Sequence, residues 1–165
     1  MTRLAPTRHA RSLALLLLAP LGSCSKPLSG PPELRLGRDE CAECGMLIAE
    51  DRCSCALLID DQGAPRHALF DDVGCLLDYR MKDSAPPVLE AYVHDHQSRA
   101  WVPAESAWFV QHDPGAVRTP MGTGLIAFAA ESDARAAAQL SAGVVLDYPG
   151  VFAARRDRAL RPGSP

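Results

Sequence analysis

Sulfur is where this sequence concentrates its chemistry. Four of the six cysteines fall between Cys41 and Cys55, and the segment Asp39-Glu40-Cys41-Ala42-Glu43-Cys44-Gly45-Met46 joins two of them to a methionine. Two intervening residues let both thiols of a C-x-x-C pair converge on one centre, as a redox dithiol, half of a zinc site or a soft-metal clamp. Gly45 supplies the backbone freedom for so tight a turn. Met46 leans toward the clamp, because a thioether suits Cu(I) and is nearly useless to zinc. Spacing by itself leaves soft-metal binding and a redox or structural disulfide side by side.

The remaining polar groups divide into possible extensions of that site and residues with ordinary structural work. Cys53 and Cys55 are spaced C-x-C, which puts both thiols on one face if a strand starts at Cys53. They are possible additional thiols for a metal site, or disulfide partners for Cys41 or Cys75. Cys75 follows Gly74 in an apolar helical stretch and reads as a buried, inert thiol. His94 and His96 flank Asp95 in a stretch that reads as a hairpin turn. Asp71-Asp72 reads as the N-cap chemistry of a helix rather than as a catalytic pair.

The N-terminus reads as a targeting device. Arg3, Arg8 and Arg11 precede the short apolar run Leu13 to Ala19, which at seven residues falls well short of the roughly 20 needed to span a bilayer. Leu21-Gly22-Ser23-Cys24 is similar to a bacterial lipobox, so residues 1–23 are expected to be a lipoprotein signal peptide and Cys24 the acylated residue that meets membrane lipid. Three of the 17 basic residues and none of the 20 acidic ones precede Cys24, leaving 14 against 20, a formal −6 for the mature chain. An acidic chain lacks the electrostatic footprint of a nucleic-acid binder, so no nucleic-acid partner is expected.

The elements that position these residues follow from period and turn chemistry. Residues 24–37, rich in Pro, Gly and Ser, are expected to be a flexible tether. Residues 38–98 read as one β-β-α-β unit: strands Cys55 to Asp60 and Arg66 to Phe70, a helix capped by Asp72 and reaching about Met81, and a strand Val88 to Val93. Residues 99–150 read as a second such unit, with strands Ala107 to Val110 and Gly124 to Ala129, an Ala-rich helix capped by Ser132 and closed by Gly143, and a strand from Val144. Residues 151–165 are expected to be a disordered tail. The fold class is α+β, two small β-β-α-β units packed together.

Taken in order, CAECGM, FDDVGCLLDY (Phe70 to Tyr79), YVHDHQSRAWVPAESAWFV (Tyr92 to Val110) and TPMGTGLIAFA (Thr119 to Ala129) resemble the NosL family. The resemblance implies an extracytoplasmic lipoprotein, held on the periplasmic side of the envelope, that carries Cu(I) on sulfur ligands for the maturation of nitrous-oxide reductase. Carried onto this sequence, the ligands it implies are Cys41, Cys44, Met46 and Met121. The competing readings are a thiol-disulfide redox protein using Cys41 and Cys44, and a disulfide-stapled envelope interaction protein. No hydrolase triad, P-loop or dinucleotide fingerprint is present, so no enzymatic activity is expected.

Overall fold

The computed structural model describes residues 27–113 and 115–160. In chain order the elements are β1 (Cys55–Asp61), β2 (Ala64–Phe70), α1 (Val73–Arg80), β3 (Val88–His94), β4 (Trp101–Pro103), a 3-10 turn (Ala104–Ser106), β5 (Trp108–Gln111), β6 (Leu125–Phe128), α2 (Glu131–Ser141), β7 (Val144–Leu146) and α3 (Tyr148–Ala159). The strands form two antiparallel sheets, β2-β1-β3-β4 and β6-β5-β7. In each, the first strand of the unit is central and its two partners flank it. The expected pair of β-β-α-β units is therefore present, and the two share a topology although their sequences do not match.

One core binds the two sheets. Leu57, Ile59 and Phe70 of the first sheet, Leu76 and Leu77 of α1, Phe109 and Leu125 of the second sheet and Val151 of α3 form a continuous buried cluster. Alternation along β5 sends Phe109 into this core and Val110 to the opposite face, where Ile126, Phe128 and the small residues Ala134 and Ala138 of α2 cover it. Five consecutive residues of α1, Val73 to Leu77, are buried, because this helix lies against both units.

Four expectations need correction. Strand β4 pairs with β3, so the first unit runs past residue 98 and the boundary falls near the 3-10 turn. Ser132 does not cap α2: the cap is Ala130, with no side-chain bond, and the first-turn acids Glu131 and Asp133 complement the helix dipole instead. The left-handed residue closing that helix is Ala142 rather than Gly143. The stretch expected as a tail forms α3 through Ala159. Asp147 caps it by accepting from Gly150 N at 2.8 Å, and Pro149 sits in its first turn, where a missing N–H does no harm.

The tether is also shorter than expected. Gly30 N donates to Glu90 Oε2 at 2.8 Å, Gly30 O lies 2.8 Å from His67 Nε2, and Gly37 N donates to Ile48 O, so the chain is fastened to the first unit from Gly30 onward. The signal peptide and Cys24 lie outside the described residues, as do residues 161–165.

Candidate metal centre

The C-x-x-C segment folds back on itself. Cys41 N donates to Met46 O at 2.8 Å and Gly45 N to Cys41 O at 2.9 Å, with Gly45 at φ +74°, a left-handed conformation that disfavours residues with a side chain. Ala42 N donates to Leu69 O, docking the loop on the end of β2. Lys82, just beyond α1, pairs with Glu43 between the two cysteines at 2.7 Å. The result is an asymmetric pair, in which Cys41 is buried and Cys44 faces solvent.

Beside this loop, the β2–α1 junction brings up Asp71 and the first turn of α1 brings up Cys75. The ligand atoms of Cys41, Cys44, Asp71 and Cys75 all lie within 4.8 Å of one another. Cys44 Sγ lies 3.7 Å from Asp71 Oδ2 and 3.8 Å from Oδ1. The Cys41 and Cys75 thiols lie within 4.8 Å of each other, and their proximity draws Cys41 down to about 6 while pushing Cys75 upward, with burial adding to the rise. Of the two, Cys41 is the thiol that ionises more readily. Cys44 is raised chiefly by burial, with the Cys41 thiolate and Asp71 adding negative charge nearby.

The second motif reaches the same place from the other unit. Asp72, next to Asp71, caps α1 by accepting from Gly74 N at 2.7 Å, and it also accepts from Thr123 Oγ1 at 2.6 Å and from Met121 N at 3.1 Å. Gly74 makes that approach possible, because a Cβ there would collide with the Thr123 side chain. A groove of about 470 Å³ runs beside the cluster, lined by Met46, Leu47 and Glu50, by Arg118, Thr119 and Pro120, and by Asp71. Met46 is 47% and Met121 43% exposed, so neither thioether is a core filler.

All four sulfur residues singled out in the sequence therefore lie in the two segments that border this cluster. Cys53 and Cys55 do not join it. Cys53 precedes β1, so strand alternation does not apply, and its side chain enters the second core with Phe128. Cys55 is fully buried in the first core and directs its thiol to Asp72 O at 3.4 Å. Burial pushes Cys53 up to about 12 and Cys55 well up, so both are neutral thiols. The five cysteines among the described residues are all free. His94 and His96 are not among the clustered groups: Asp95 between them closes the hairpin by accepting from Ser98 N and Oγ at 2.7 and 2.6 Å, and the His94 ring lies tilted against Trp101.

Sequence reasoning missed Asp71 and Cys75. Asp71 directly precedes the N-cap and Cys75 lies in the first turn that follows, a signal available in the sequence but divided there between a capping role and an inert thiol.

Comparison with curated proteins gives no match. Among solved structures, the fold is similar to the crystal structure of the copper chaperone NosL from Shewanella denitrificans, with a TM-score of 0.58 and 23% identity over 72% of this chain and 96% of that one. The family model NosL matches residues 35–154, a span that holds both sheets, the sulfur cluster and the Thr119–Gly122 turn, and the chain belongs to the NosL family.

Proposed function

We propose that the cluster binds Cu(I) as cargo and that the chain delivers it, anchored to the envelope through acylated Cys24, to a copper-protein client, nitrous-oxide reductase. The single observation that carries this reading is the convergence of Cys41, Cys44 and Cys75 within 4.8 Å, beside segments carrying Met46 and Met121. Delivery needs a cargo held by accessible, exchangeable donors and no catalytic base; the exposed Cys44 and the two exposed methionines meet that need.

The donor set discriminates between metals through charge. A divalent zinc ion held by three thiolates and a carboxylate would place a net negative complex where ionisation of Cys75 is already strongly opposed. Monovalent copper needs only one or two thiolates and takes neutral thioethers as further donors. In this reading Cys44 is the entry ligand, Cys41 supplies the resident thiolate, and Met46 and Met121 complete the sulfur set. Asp71 faces the thiol that must lose its proton as copper enters.

Titrating the reduced full chain with Cu(I) against a chromophoric Cu(I) chelator, with Zn(II) as competitor, tests this. One tightly held Cu(I) that equimolar zinc does not displace is expected. Displacement by zinc at comparable free concentrations would remove the chemical basis of the proposal.

A further inference from the structure

We propose that the groove between the end of α1 and the start of α3 is a docking site for an acidic segment of a partner protein. It measures about 360 Å³ and is lined by Arg80, Tyr148, Pro149, Phe152, Ala153 and Arg156. The guanidinium of Arg80 lies 5.5 Å from the centroid of the Tyr148 ring and 5.2 Å from that of Phe152, and its Nη1 donates to Tyr148 Oη at 2.6 Å. Stacking and this bond fix the plane of the guanidinium before anything binds, which reduces the ordering cost of a bidentate carboxylate contact.

Charge identifies the occupant. The neighbouring Arg155 is already neutralised by Asp78, through bonds of 2.8 and 2.7 Å. Among the described residues, Arg80 and Arg156 have no carboxylate within ion-pair distance. Two guanidinium groups with no carboxylate partner among the described residues thus share a groove in a chain whose formal charge is −3. Their forked donors match carboxylates, and the ring edges and Pro149 offer apolar walls for a side chain beside the acid. A lipid surface fits less well. Membrane-seeking faces present protruding apolar side chains, whereas Tyr148 is only 8% exposed, stacked against Phe109, and Phe152 is packed on the core.

The location suits a partner that must also reach the sulfur cluster. Cys75 lies in the first turn of α1 and Arg80 at its end, five residues or about 7.5 Å along the axis, so the sulfur cluster and the groove sit at opposite ends of one helix. The family match ends at residue 154, so Arg156 lies outside it.

The probe is a fluorescein-labelled Glu-Asp-Glu-Phe-Asp-Glu peptide, with Gln-Asn-Gln-Phe-Asn-Gln as control, mixed with the purified full chain and followed by anisotropy. The acidic peptide is expected to bind at about 50 mM salt and to weaken about tenfold at about 300 mM, with no binding of the control. Arg156→Glu, at an exposed position, should weaken binding by at least about tenfold, while Arg135→Gln on α2 should not. Arg80→Lys, which keeps the charge but loses the stacked plane, should weaken it less than Arg156→Glu. Equal binding of both peptides, or binding indifferent to Arg156→Glu, would overturn the proposal. So would an Arg156-dependent attachment to phosphatidylglycerol vesicles without peptide binding, or an Arg156-dependent dimer in sedimentation, which would make a lipid surface or a second copy the occupant.

Discussion

Thr123 Oγ1 donates to Asp72 Oδ1 across 2.6 Å, a bond between residues 51 apart in the chain. Asp72 has just turned the chain from β2 into α1 and Thr123 leads into β6, so this contact ties the start of α1 to the segment that carries Met121. Both groups are buried. A buried carboxylate is stable only while its bonds are complete, and here the partners are Gly74 N, Thr123 Oγ1 and Met121 N.

Thr123→Val keeps the shape of the side chain but removes a donor to a buried carboxylate. A loss of about 2–3 kcal/mol in stability is expected, read by urea unfolding of the reduced chain. Asp72→Ala removes the helix cap as well as both cross-unit bonds and should cost more, about 3–5 kcal/mol. A Thr123→Val variant as stable as the unaltered chain would show that the cross-unit bond matters little.

Gly74 is expected to be coupled to Thr123 through space. Gly74→Ala should destabilise by about 1–3 kcal/mol, because the new methyl meets the Thr123 Cγ2 methyl. Thr123→Ser removes that methyl and keeps the hydroxyl, so the double variant should recover a substantial part of the loss. Additive effects in the double-mutant cycle would place the strain elsewhere.

Cys53 provides a pH signature distinct from the metal cluster. Its thiol is raised to about 12 in the fold against an ordinary value of 9.0 when unfolded. The neutral form is favoured by folding, so its contribution is fully present below pH 9 and is lost as pH rises from there toward 12. The slope of stability against pH in that window should include about 1.4 kcal/mol per unit from this group. Cys53→Ala will lower stability at every pH by leaving a cavity, yet should flatten that slope. An unchanged slope would mean that the thiol is hydrated.

The lowered pKa of Cys41 beside Cys75 makes a spectroscopic prediction. Thiolate absorbance near 240 nm should persist in the metal-free, reduced chain down to about pH 6. Cys75→Ala removes the thiol that stabilises the Cys41 anion and should shift this titration upward. A titration near 9.0 in the unaltered chain would contradict the pairing.

Much of this architecture can be read from residue order. Asp72 followed by an apolar helical run gives α1 and its cap, and strand-turn-strand patterning gives β1 and β2. What the sequence conceals is set by long-range packing. Five of the six residues from Val73 to Asp78 are buried because α1 faces two units, which erases the one-sided periodicity that would have exposed Cys75 as a directed side chain. Tyr148, Val151 and Phe152 do carry a helical period in α3, obscured by Pro149 and by the arginines that follow. The tether's attachment depends on His67 and Glu90, distant residues with no local signature. Cys53 and Cys55 misled because C-x-C spacing shares a face only inside a strand, and the strand begins at Cys55.

Copper K-edge absorption of the reduced full chain loaded with one equivalent of Cu(I) tests whether sulfur at this cluster holds the metal, with Cys44 as its exposed ligand. A first shell of sulfur, up to the four of Cys41, Cys44, Met46 and Met121, at about 2.3 Å is predicted, losing a sulfur in Cys44→Ser and in Met121→Leu. A shell dominated by nitrogen or oxygen, or a sulfur shell unchanged in Cys44→Ser, would contradict the account.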